Sequence, residues 1–298
     1  MKALIFGITG QDGFYLRKLL TENGVAVIGA ARSGGDVQLD VSDRSAVENL
    51  IRETQPDYIF HLAAESSTAH QYLWENHHAI ADGTIAILDA VDRHHRDCRV
   101  LLAGSGLQLK NDSLPIDEDA AADYSSPYAV CRNYSLNAGR YFRQRGLGVY
   151  FAYLFNHDSP LRTSRHLNLK IAQAAAAAAA GSSEKLHLGD PDAEKEFNFA
   201  GDIVSALWKL IRQDKVTEAV VGSGVAYPVS RWLQLCYGYV GLNWKDWVVS
   251  APDYRSPYRR LVSNPALLSS LGWHPEVSIE ELAAMMMKQA ISRQSADP

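Results

Sequence analysis

The feature that most constrains the fold is a glycine-rich turn near the start of the chain. Gly7, Gly10 and Gly13 form a G-x-x-G-x-x-G motif between the apolar run Ala3–Phe6 and the amphipathic stretch Phe14–Glu22. In a strand–turn–helix unit such glycines allow a tight turn and close approach of a pyrophosphate, and the helix N-terminus donates N–H groups to the anion. The motif therefore predicts a dinucleotide site. The residues expected at the cofactor are Gly7, Thr9, Gly10, Gln11, Asp12 and Gly13.

Short apolar runs alternate with amphipathic stretches through the first half of the chain. Predicted strands are Ala3–Phe6, Val25–Ala30, Val37–Leu39, Tyr58–Ala63, Val100–Ala103 and Val149–Leu154. Predicted helices are Phe14–Glu22, Arg44–Glu53, Ile80–Val91 and a helix from Tyr128 to about Arg145. This alternation indicates an α/β fold with a doubly wound parallel (Rossmann) sheet.

After Asn156 the alternation weakens and helical patterns dominate. We expect residues 1–155 to form the NADP-binding Rossmann domain, with some later segments returning to it. Residues 156–298 are expected to form mainly a smaller C-terminal substrate-binding lobe. The alanine run Ala174–Ala180 is typical of a close-packed helix face.

Composition and charge exclude several classes of protein. Hydrophobic residues make up 47% of the 298 residues and charged residues 21%, which is ordinary for a globular chain. The net charge of −5 argues against a nucleic-acid or anionic-lipid partner. No apolar window reaches the length of a membrane span, and the first apolar run is too short for a signal peptide. We therefore expect a cytoplasmic protein with no membrane partner.

No metal site is predicted from the sequence. The histidines His61, His70, His77 and His78 match no metal-ligand spacing, and the three cysteines form no C-x-x-C motif.

The end of the second predicted strand bears on which nicotinamide cofactor binds. An acidic residue there would accept hydrogen bonds from the adenosine ribose, but the chain has Arg32 and Ser33 instead. Arg32 can pair with a 2′-phosphate, so NADP is favoured over NAD. The alternative is that Arg32 is a solvated loop residue. Asp40, after the third strand, is expected near the adenine.

Three polar residues form a candidate catalytic group. Tyr128 and Arg132 are four residues apart on a predicted helix and therefore share one face. A cation beside a phenol favours the phenolate, which suits proton transfer during oxidation of an alcohol. Ser105 follows the Val100–Ala103 strand and could hydrogen-bond the same substrate oxygen. Each residue alone also fits a purely structural role, as a cap or a packing group.

Four segments resemble the extended short-chain dehydrogenase/reductase family and, within it, the GDP-mannose 4,6-dehydratases. They are GITGQDG (Gly7–Gly13), HLAAES (His61–Ser66), SPYAV (Ser126–Val130) and LFNHDSP (Leu154–Pro160). Weaker matches extend the resemblance over nearly the whole chain, as far as LGWHP at Leu271–Pro275. LFNHDSP is the most specific segment, because the general motifs of the family do not require it.

The resemblance implies a GDP-linked hexose as the substrate. The family chemistry is oxidation at carbon 4, loss of water across carbons 5 and 6, and return of the hydride to carbon 6. By resemblance, Tyr128 is the acid–base tyrosine, Ser105 its hydroxyl partner and Asn156 a contact to the hexose-phosphate region. The resemblance also implies a homodimer through paired helices that include the Tyr128 helix. Further implied contacts are Leu62, Ala63 and Ala64 to the cofactor, and Lys170, Lys195, Arg231 and Arg255 to the nucleotide and its pyrophosphate.

The sequence departs from the family pattern at three places. Arg132 stands where the family has lysine, and Leu107 stands where dehydratases have the glutamate that works the elimination. The long basic loop after the second strand is reduced to Arg32–Gly35. Arginine keeps the charge but is not interchangeable with lysine, whereas leucine cannot move a proton. Glu65 is a candidate substitute base, with a plain polar role as its alternative.

These departures leave three functions open. The first is an NADP-dependent GDP-mannose 4,6-dehydratase-like enzyme. The second is a 4-ketoreductase or epimerase of a GDP-deoxysugar, which needs no elimination base. The third is a catalytically degenerate protein that binds the cofactor or a nucleotide sugar.

Overall fold

The computed structural model describes residues 1–163, 166–250, 256 and 258–296. The strands are β1 (Lys2–Phe6), β2 (Ala26–Ala31), β3 (Val37–Gln38), β4 (Tyr58–His61), β5 (Arg99–Ser105), β6 (Gly148–Leu154), β7 (His157–Asp158), β8 (Leu186–Leu188), β9 (Glu194–Glu196), β10 (Asn198–Phe199), β11 (Glu218–Val221), β12 (Ala226–Pro228), β13 (Val248–Ser250) and β14 (Arg260–Leu261). The helices are α1 (Gln11–Glu22), α2 (Arg44–Thr54), α3 (Leu73–Asn76), α4 (Gly83–His94), α5 (Pro127–Gln144), α6 (Leu167–Ala179), α7 (Ala200–Ile211), α8 (Val229–Tyr239), α9 (Ala266–Ser270) and α10 (Ile279–Ala296).

The main sheet has seven parallel strands in the order β11-β6-β5-β4-β1-β2-β3. The strand order reverses at β1, which lies between β2 and β4. This arrangement confirms the predicted doubly wound sheet. In such sheets a ligand binds at the carboxyl ends of the strands, where the order reverses.

Helices cover both faces of this sheet. On one face α2, α4 and α5 contribute buried residues such as Val47, Ile87 and Leu136 to a core with β4, β5 and β6. On the other face α1 and α7 pack together and bury residues such as Leu16 and Leu207. Since α7 and β11 follow residue 156, later segments return to the half of the molecule that contains the main sheet.

Local capping explains where several helices begin. Asp43 accepts a hydrogen bond from the N–H of Ala46 at the start of α2, and Ser126 accepts one from Ala129 at the start of α5, where Pro127 is the first helical residue. Two predicted starts were wrong. Helix α1 begins at Gln11 instead of Phe14, and α4 begins at Gly83 after a π-helical turn that spans His77–Asp82.

The C-terminal lobe has a core of its own. It is formed where α6, α8 and α10 pack together around Trp232, Leu282 and Met286. Ala175, Ala176 and the other buried alanines of α6 allow this close packing. Three small sheets, with orders β10-β7, β12-β9-β14 and β13-β8, complete the lobe and its junction with the main sheet. Among the described residues, no helix is long and apolar enough to cross a membrane.

Candidate active site

The glycine-rich turn joins β1 to α1 at the point where the strand order reverses. Gly7 has a positive φ of 89°, and a Cβ there would lie 2.6 Å from the backbone nitrogen of Ala63. A Cβ on Gly13 would lie 2.6 Å from the Gly7 carbonyl oxygen, so this position also requires glycine. No side chain caps the N-terminus of α1 at Gly10. The first turn of α1 therefore presents backbone N–H groups to an anionic ligand.

Two neighbouring pockets with shared lining residues flank this turn. The outer pocket, of about 440 Å³, lies between the ends of β2, β4 and the residues after β3. The inner pocket, of about 410 Å³, lies between the turn, the end of β5, α5 and the segment after β6. The walls that both pockets share are formed by Gly7, Thr9, Gly10, Leu62 and Ala64.

The outer pocket contains the residues predicted to set the cofactor preference. Arg32, Ser33, Asp40 and Ala63 all line it. The N–H and hydroxyl of Ser42 both donate to Asp40, and the backbone bond with Ser42 is the main cause of the lowered pKa of Asp40. Arg32 is exposed at the pocket mouth, and its charge also favours ionised Asp40. A cation and a carboxylate therefore lie on the same wall.

The inner pocket brings together the three residues of the candidate catalytic group. Ser105, Tyr128 and Arg132 all line it, and all three are buried. The Arg132 guanidinium carbon lies 5.0 Å from the centre of the Tyr128 ring, and the guanidinium donates to the carbonyl oxygen of Ala103. The tyrosine is therefore held beside a fixed positive charge, at the end of β5.

Ser105 also has the structural role that its position permits. Its hydroxyl oxygen accepts a hydrogen bond from the N–H of Leu107, and its own N–H donates to Gln108, so it caps a short 3₁₀ helix over Gly106–Gln108. A hydroxyl that accepts a bond can still donate one. Leu107 lines the same pocket and packs near Tyr128. The pocket is thus apolar at the position that the family resemblance assigns to a glutamate.

The opposite wall of the inner pocket carries an ion pair that the sequence did not reveal. His157 Nε2 lies 3.0 Å from Asp12 Oδ1, and His157 Nδ1 lies 2.8 Å from the carbonyl oxygen of Phe155. Burial disfavours the charge on Asp12, but His157 outweighs this and lowers the pKa of that carboxyl. Burial likewise disfavours charge on His157, and Asp12 outweighs it and raises the pKa of the imidazole. The two groups therefore form a charged pair.

A second contact joins the same two segments. Ser159 donates to the side-chain oxygen of Gln11 at 2.9 Å, and the amide nitrogen of Gln11 donates to the carbonyl oxygen of His157 at 3.3 Å. These bonds connect the glycine-rich turn to the segment Leu154–Pro160, which carries Asn156 on the pocket wall. Asp12 was predicted as a cofactor contact, but His157 was not predicted at all. The specificity of LFNHDSP was the available signal.

Glu65 does not lie where a substitute base for the pocket with Tyr128 would be expected. It lines the outer pocket with Arg32 and Asp40, and it is not among the residues that line the inner pocket. In the described part of the chain, the only carboxylate that lines the inner pocket is Asp12, which is paired with His157.

Four lysines and arginines were predicted to contact the nucleotide, and the structure places none of the described ones in either pocket. Lys195 is 8% exposed and donates to Asn168, and burial lowers the pKa of its ammonium. Arg231 pairs with Glu280 at 2.7 Å on the surface of the lobe. Lys170 lies on the exposed side of α6. Arg255 lies outside the described residues.

Comparisons with known proteins agree with this architecture. The family model described as GDP-mannose 4,6 dehydratase matches residues 4–286. GDP-mannose 4,6 dehydratase 1 of Arabidopsis thaliana is 31% identical over 323 aligned positions, covering 96% of this chain and 89% of the relative. GDP-mannose 4,6-dehydratase of Sinorhizobium fredii is 28% identical, covering 97% and 96%.

Two solved structures show the same fold. RMD from Pseudomonas aeruginosa, complexed with NADPH, superimposes with a TM-score of 0.86 at 22% identity, covering 98% of this chain and 99% of that one. UDP-glucose 4-epimerase of Thermus thermophilus, complexed with NAD, superimposes with a TM-score of 0.83 at 19% identity, covering 97% and 99%. The family model matches nearly the whole chain, so the protein belongs to the GDP-mannose 4,6-dehydratase family of extended short-chain dehydrogenases/reductases.

Proposed function

We propose that the protein is an NADP-dependent enzyme that transfers a hydride at carbon 4 of a GDP-linked hexose. One observation carries this proposal: Ser105, Tyr128 and Arg132 line the same pocket as the glycine-rich turn. The GDP-hexose is inferred from family membership, since relatives that align with most of this chain are GDP-mannose dehydratases. This first chemical step is shared by a dehydratase and by a 4-ketoreductase.

The residues present fit a nicotinamide dinucleotide. The positive φ of Gly7, the close packing of Gly13 and the uncapped start of α1 suit a pyrophosphate. Arg32 and Ser33 line the outer pocket, where a 2′-phosphate can pair with the guanidinium, which favours NADP. When bound, the cofactor supplies the hydride acceptor or donor.

The protein's own side chains carry out the proton transfer that accompanies the hydride transfer. Tyr128 is the group on the pocket wall that can take the proton of the carbon-4 hydroxyl during oxidation and return it during reduction. Arg132 keeps a positive charge 5.0 Å from the centre of the Tyr128 ring throughout this cycle. The Ser105 hydroxyl remains able to donate to the same substrate oxygen.

Leu107 favours a second, narrower proposal about the outcome of the reaction. Elimination of water requires a base that removes the proton at carbon 5. The family base is a carboxylate, but Leu107 stands at its position, Glu65 lines the other pocket, and Asp12, the one carboxylate among the described residues of the inner pocket, is bonded to His157. We therefore favour a 4-ketoreductase or epimerase of a GDP-deoxysugar over the 4,6-dehydratase.

The experiment is a reductase assay with NADPH and a GDP-4-keto-6-deoxyhexose, following absorbance of the reduced cofactor. Wild type should oxidise NADPH, and the Tyr128→Phe variant should bind NADPH equally well yet turn over far more slowly. A protein that only binds its ligands would show no turnover, and its nucleotide-sugar affinity would be unchanged by the same substitution. No NADPH oxidation by wild type would therefore contradict the proposal.

A paired substitution tests whether dehydration is latent in this pocket. The double variant Leu107→Glu/Arg132→Lys restores both residues that the family pattern assigns. Formation of a dehydrated product from GDP-mannose by this variant, and not by Arg132→Lys alone, would show that Leu107 is what blocks elimination. No product from either would count against a retained dehydratase geometry.

We also propose that the protein is a homodimer through α5. Val130, Tyr134 and Tyr141 lie four and seven residues apart, so they share one side of this helix, and each is about half exposed. Large apolar side chains grouped on one exposed face are typical of an interface. Light scattering should give twice the chain mass for wild type and a monomer for Tyr134→Arg. A monomeric wild type would remove the proposal.

A further inference from the structure

Two adjacent histidines and an aspartate converge at the edge of the outer pocket, away from the candidate catalytic group. His77 Nδ1 lies 3.3 Å from Asp82 Oδ2, and His78 Nδ1 lies 2.8 Å from the same oxygen. One ligand atom from each of the three residues lies within 4.8 Å of the other two. The histidine spacing in the sequence predicted no metal site, because it gives no sign of the π-helical turn over His77–Asp82.

The π-helical turn is what brings these side chains together. In a π-helix hydrogen bonds run from residue i to i+5, so His77 and Asp82 fall on the same side of the turn. The other two histidines considered from the sequence are elsewhere, because His61 is buried at the end of β4 and His70 lies in a separate 3₁₀ turn. π-Helical turns occur frequently at functional sites.

An aromatic ring restricts the two imidazoles. The Trp74 ring stacks on His78 with centroids 5.8 Å apart and planes 24° apart, and its centroid is 6.0 Å from that of His77. Fixing the rings lowers the entropy lost when both bind one ligand. The side chains of His77, His78 and Asp82 remain 40–55% exposed, so a hydrated ion can reach them.

We propose that His77, His78 and Asp82 form a binding site for a divalent transition-metal ion. Two neutral imidazoles and one carboxylate are a donor set suited to Zn²⁺ and its first-row neighbours. Ligands held about 2.0–2.1 Å from a tetrahedral Zn²⁺ lie about 3.3 Å apart, which is the His77–Asp82 separation. Three protein ligands leave a coordination position for water or another donor.

The site borders the outer pocket without forming its core. His78 lines that pocket together with Asp40 and Glu75, whereas His77 and Asp82 do not. The metal site is therefore separate from Ser105, Tyr128 and Arg132, and it does not depend on the reaction proposed above.

The test is calorimetric titration of tag-free protein with Zn²⁺ at pH 7.5, with a thermal melt of each variant to confirm folding. Wild type should bind one ion per chain. His77→Ala and Asp82→Asn should each weaken Zn²⁺ binding at least about tenfold. Removal of a group that only hydrogen-bonds a metal ligand already lowers metal affinity by about that factor, and these two variants each remove a ligand. Asp82→Asn keeps the shape of the side chain, so its effect would report the lost ligand charge.

Two control variants separate this site from other metal-binding groups. His70→Ala removes a nearby exposed histidine that is outside the cluster. Cys131→Ser removes a buried thiol near Asp82. Burial is the main cause of the raised pKa of this thiol. Both should bind Zn²⁺ like wild type. Absence of saturable binding by wild type, or equal affinity in wild type, His77→Ala and Asp82→Asn, would overturn the proposal.

Discussion

The two walls of the inner pocket are built for different tasks. The wall at β5 and α5 presents Tyr128, Arg132 and Ser105 together with the apolar Leu107. The wall at the glycine-rich turn and β7 presents the pair of Asp12 and His157, whose polar atoms are already bonded to each other. The first wall carries groups that can accept and return the proton of a substrate hydroxyl, and the second holds two segments together. Because Leu107 is on the first wall and Asp12 is bonded to His157 on the second, membership of the family does not by itself determine which reaction this pocket catalyses.

The largest expected effect comes from the first wall. Tyr128→Phe removes the hydroxyl that accepts and donates the proton, and general acid–base catalysis contributes about 10²–10⁴-fold to rate. Turnover in the NADPH assay should fall by that factor, while calorimetry should give an unchanged NADPH affinity. Ser126→Ala, at the helix cap two residues earlier, serves as the control for damage to α5. Turnover of Tyr128→Phe within about twofold of wild type would remove the tyrosine from the mechanism.

The second wall should respond in stability. Asp12→Asn leaves the His157 imidazole beside a neutral amide, and a group deprived of its partner in a mostly buried place costs about 1–3 kcal/mol. The free energy of unfolding from urea titration should fall by that amount. Glu280→Gln breaks the surface pair with Arg231, and should cost no more than about 1 kcal/mol. Equal losses in the two variants would show that the wall is not held by its ion pair.

The same pair predicts how stability depends on pH. The folded pKa of Asp12 is lowered, so its contribution is present above the ordinary aspartate pKa of 3.8 and is lost as pH falls through the folded value. The folded pKa of His157 is raised, so its contribution is present below 6.5 and is lost as pH rises through the folded value. The stability difference between wild type and His157→Gln should therefore be largest between about pH 4 and 6.5. A difference that stays constant from pH 4 to 9 would contradict the charged pair.

The smallest expected effect is that of Arg132→Lys. Lysine keeps the positive charge near Tyr128 but loses the planar guanidinium that reaches the Ala103 carbonyl oxygen. We expect turnover to change by less than about tenfold, whereas Arg132→Met, which removes the charge, should cost more. Equal turnover in both variants would show that charge beside the tyrosine is not needed.

The main parallel sheet and its helices could be predicted from the sequence because their signals are local. The glycine motif and the strand–helix alternation are read within single segments, and Asp43 and Ser126 cap the helices they precede. The small strands of the C-terminal lobe are two or three residues long, like β3. Segments this short show no alternation of apolar and polar residues, so the lobe strands could not be predicted from the sequence. The π-helical turn before α4 has no sequence signature comparable to a cap.

The parts of the site that were missed depend on distant partners. Asp12 and His157 are 145 residues apart, so neither predicts the pairing alone. Lys195 and Arg231 were expected at the nucleotide because the family resemblance implied it, but a resemblance in sequence does not show whether a charged side chain has a partner inside the protein. Here Asn168 binds the lysine and Glu280 the arginine. The grouping of Tyr128, Arg132 and Ser105 could be predicted from the sequence. Ser105 lies at the end of a predicted strand, and Tyr128 and Arg132 lie near the start of a helix predicted to pack on the same sheet.

We infer that this pocket moves a hydride at carbon 4, and that its one carboxylate among the described residues, Asp12, is bonded to His157 and does not serve an elimination. The most direct test is mass spectrometry of GDP-mannose after incubation with purified protein and NADP, with cofactor binding confirmed in the same preparation. We predict that the sugar nucleotide keeps its mass. Loss of one water from the hexose would contradict this prediction: it would show that the protein is a dehydratase, and that another group in the inner pocket removes the proton at carbon 5 that Leu107 cannot remove.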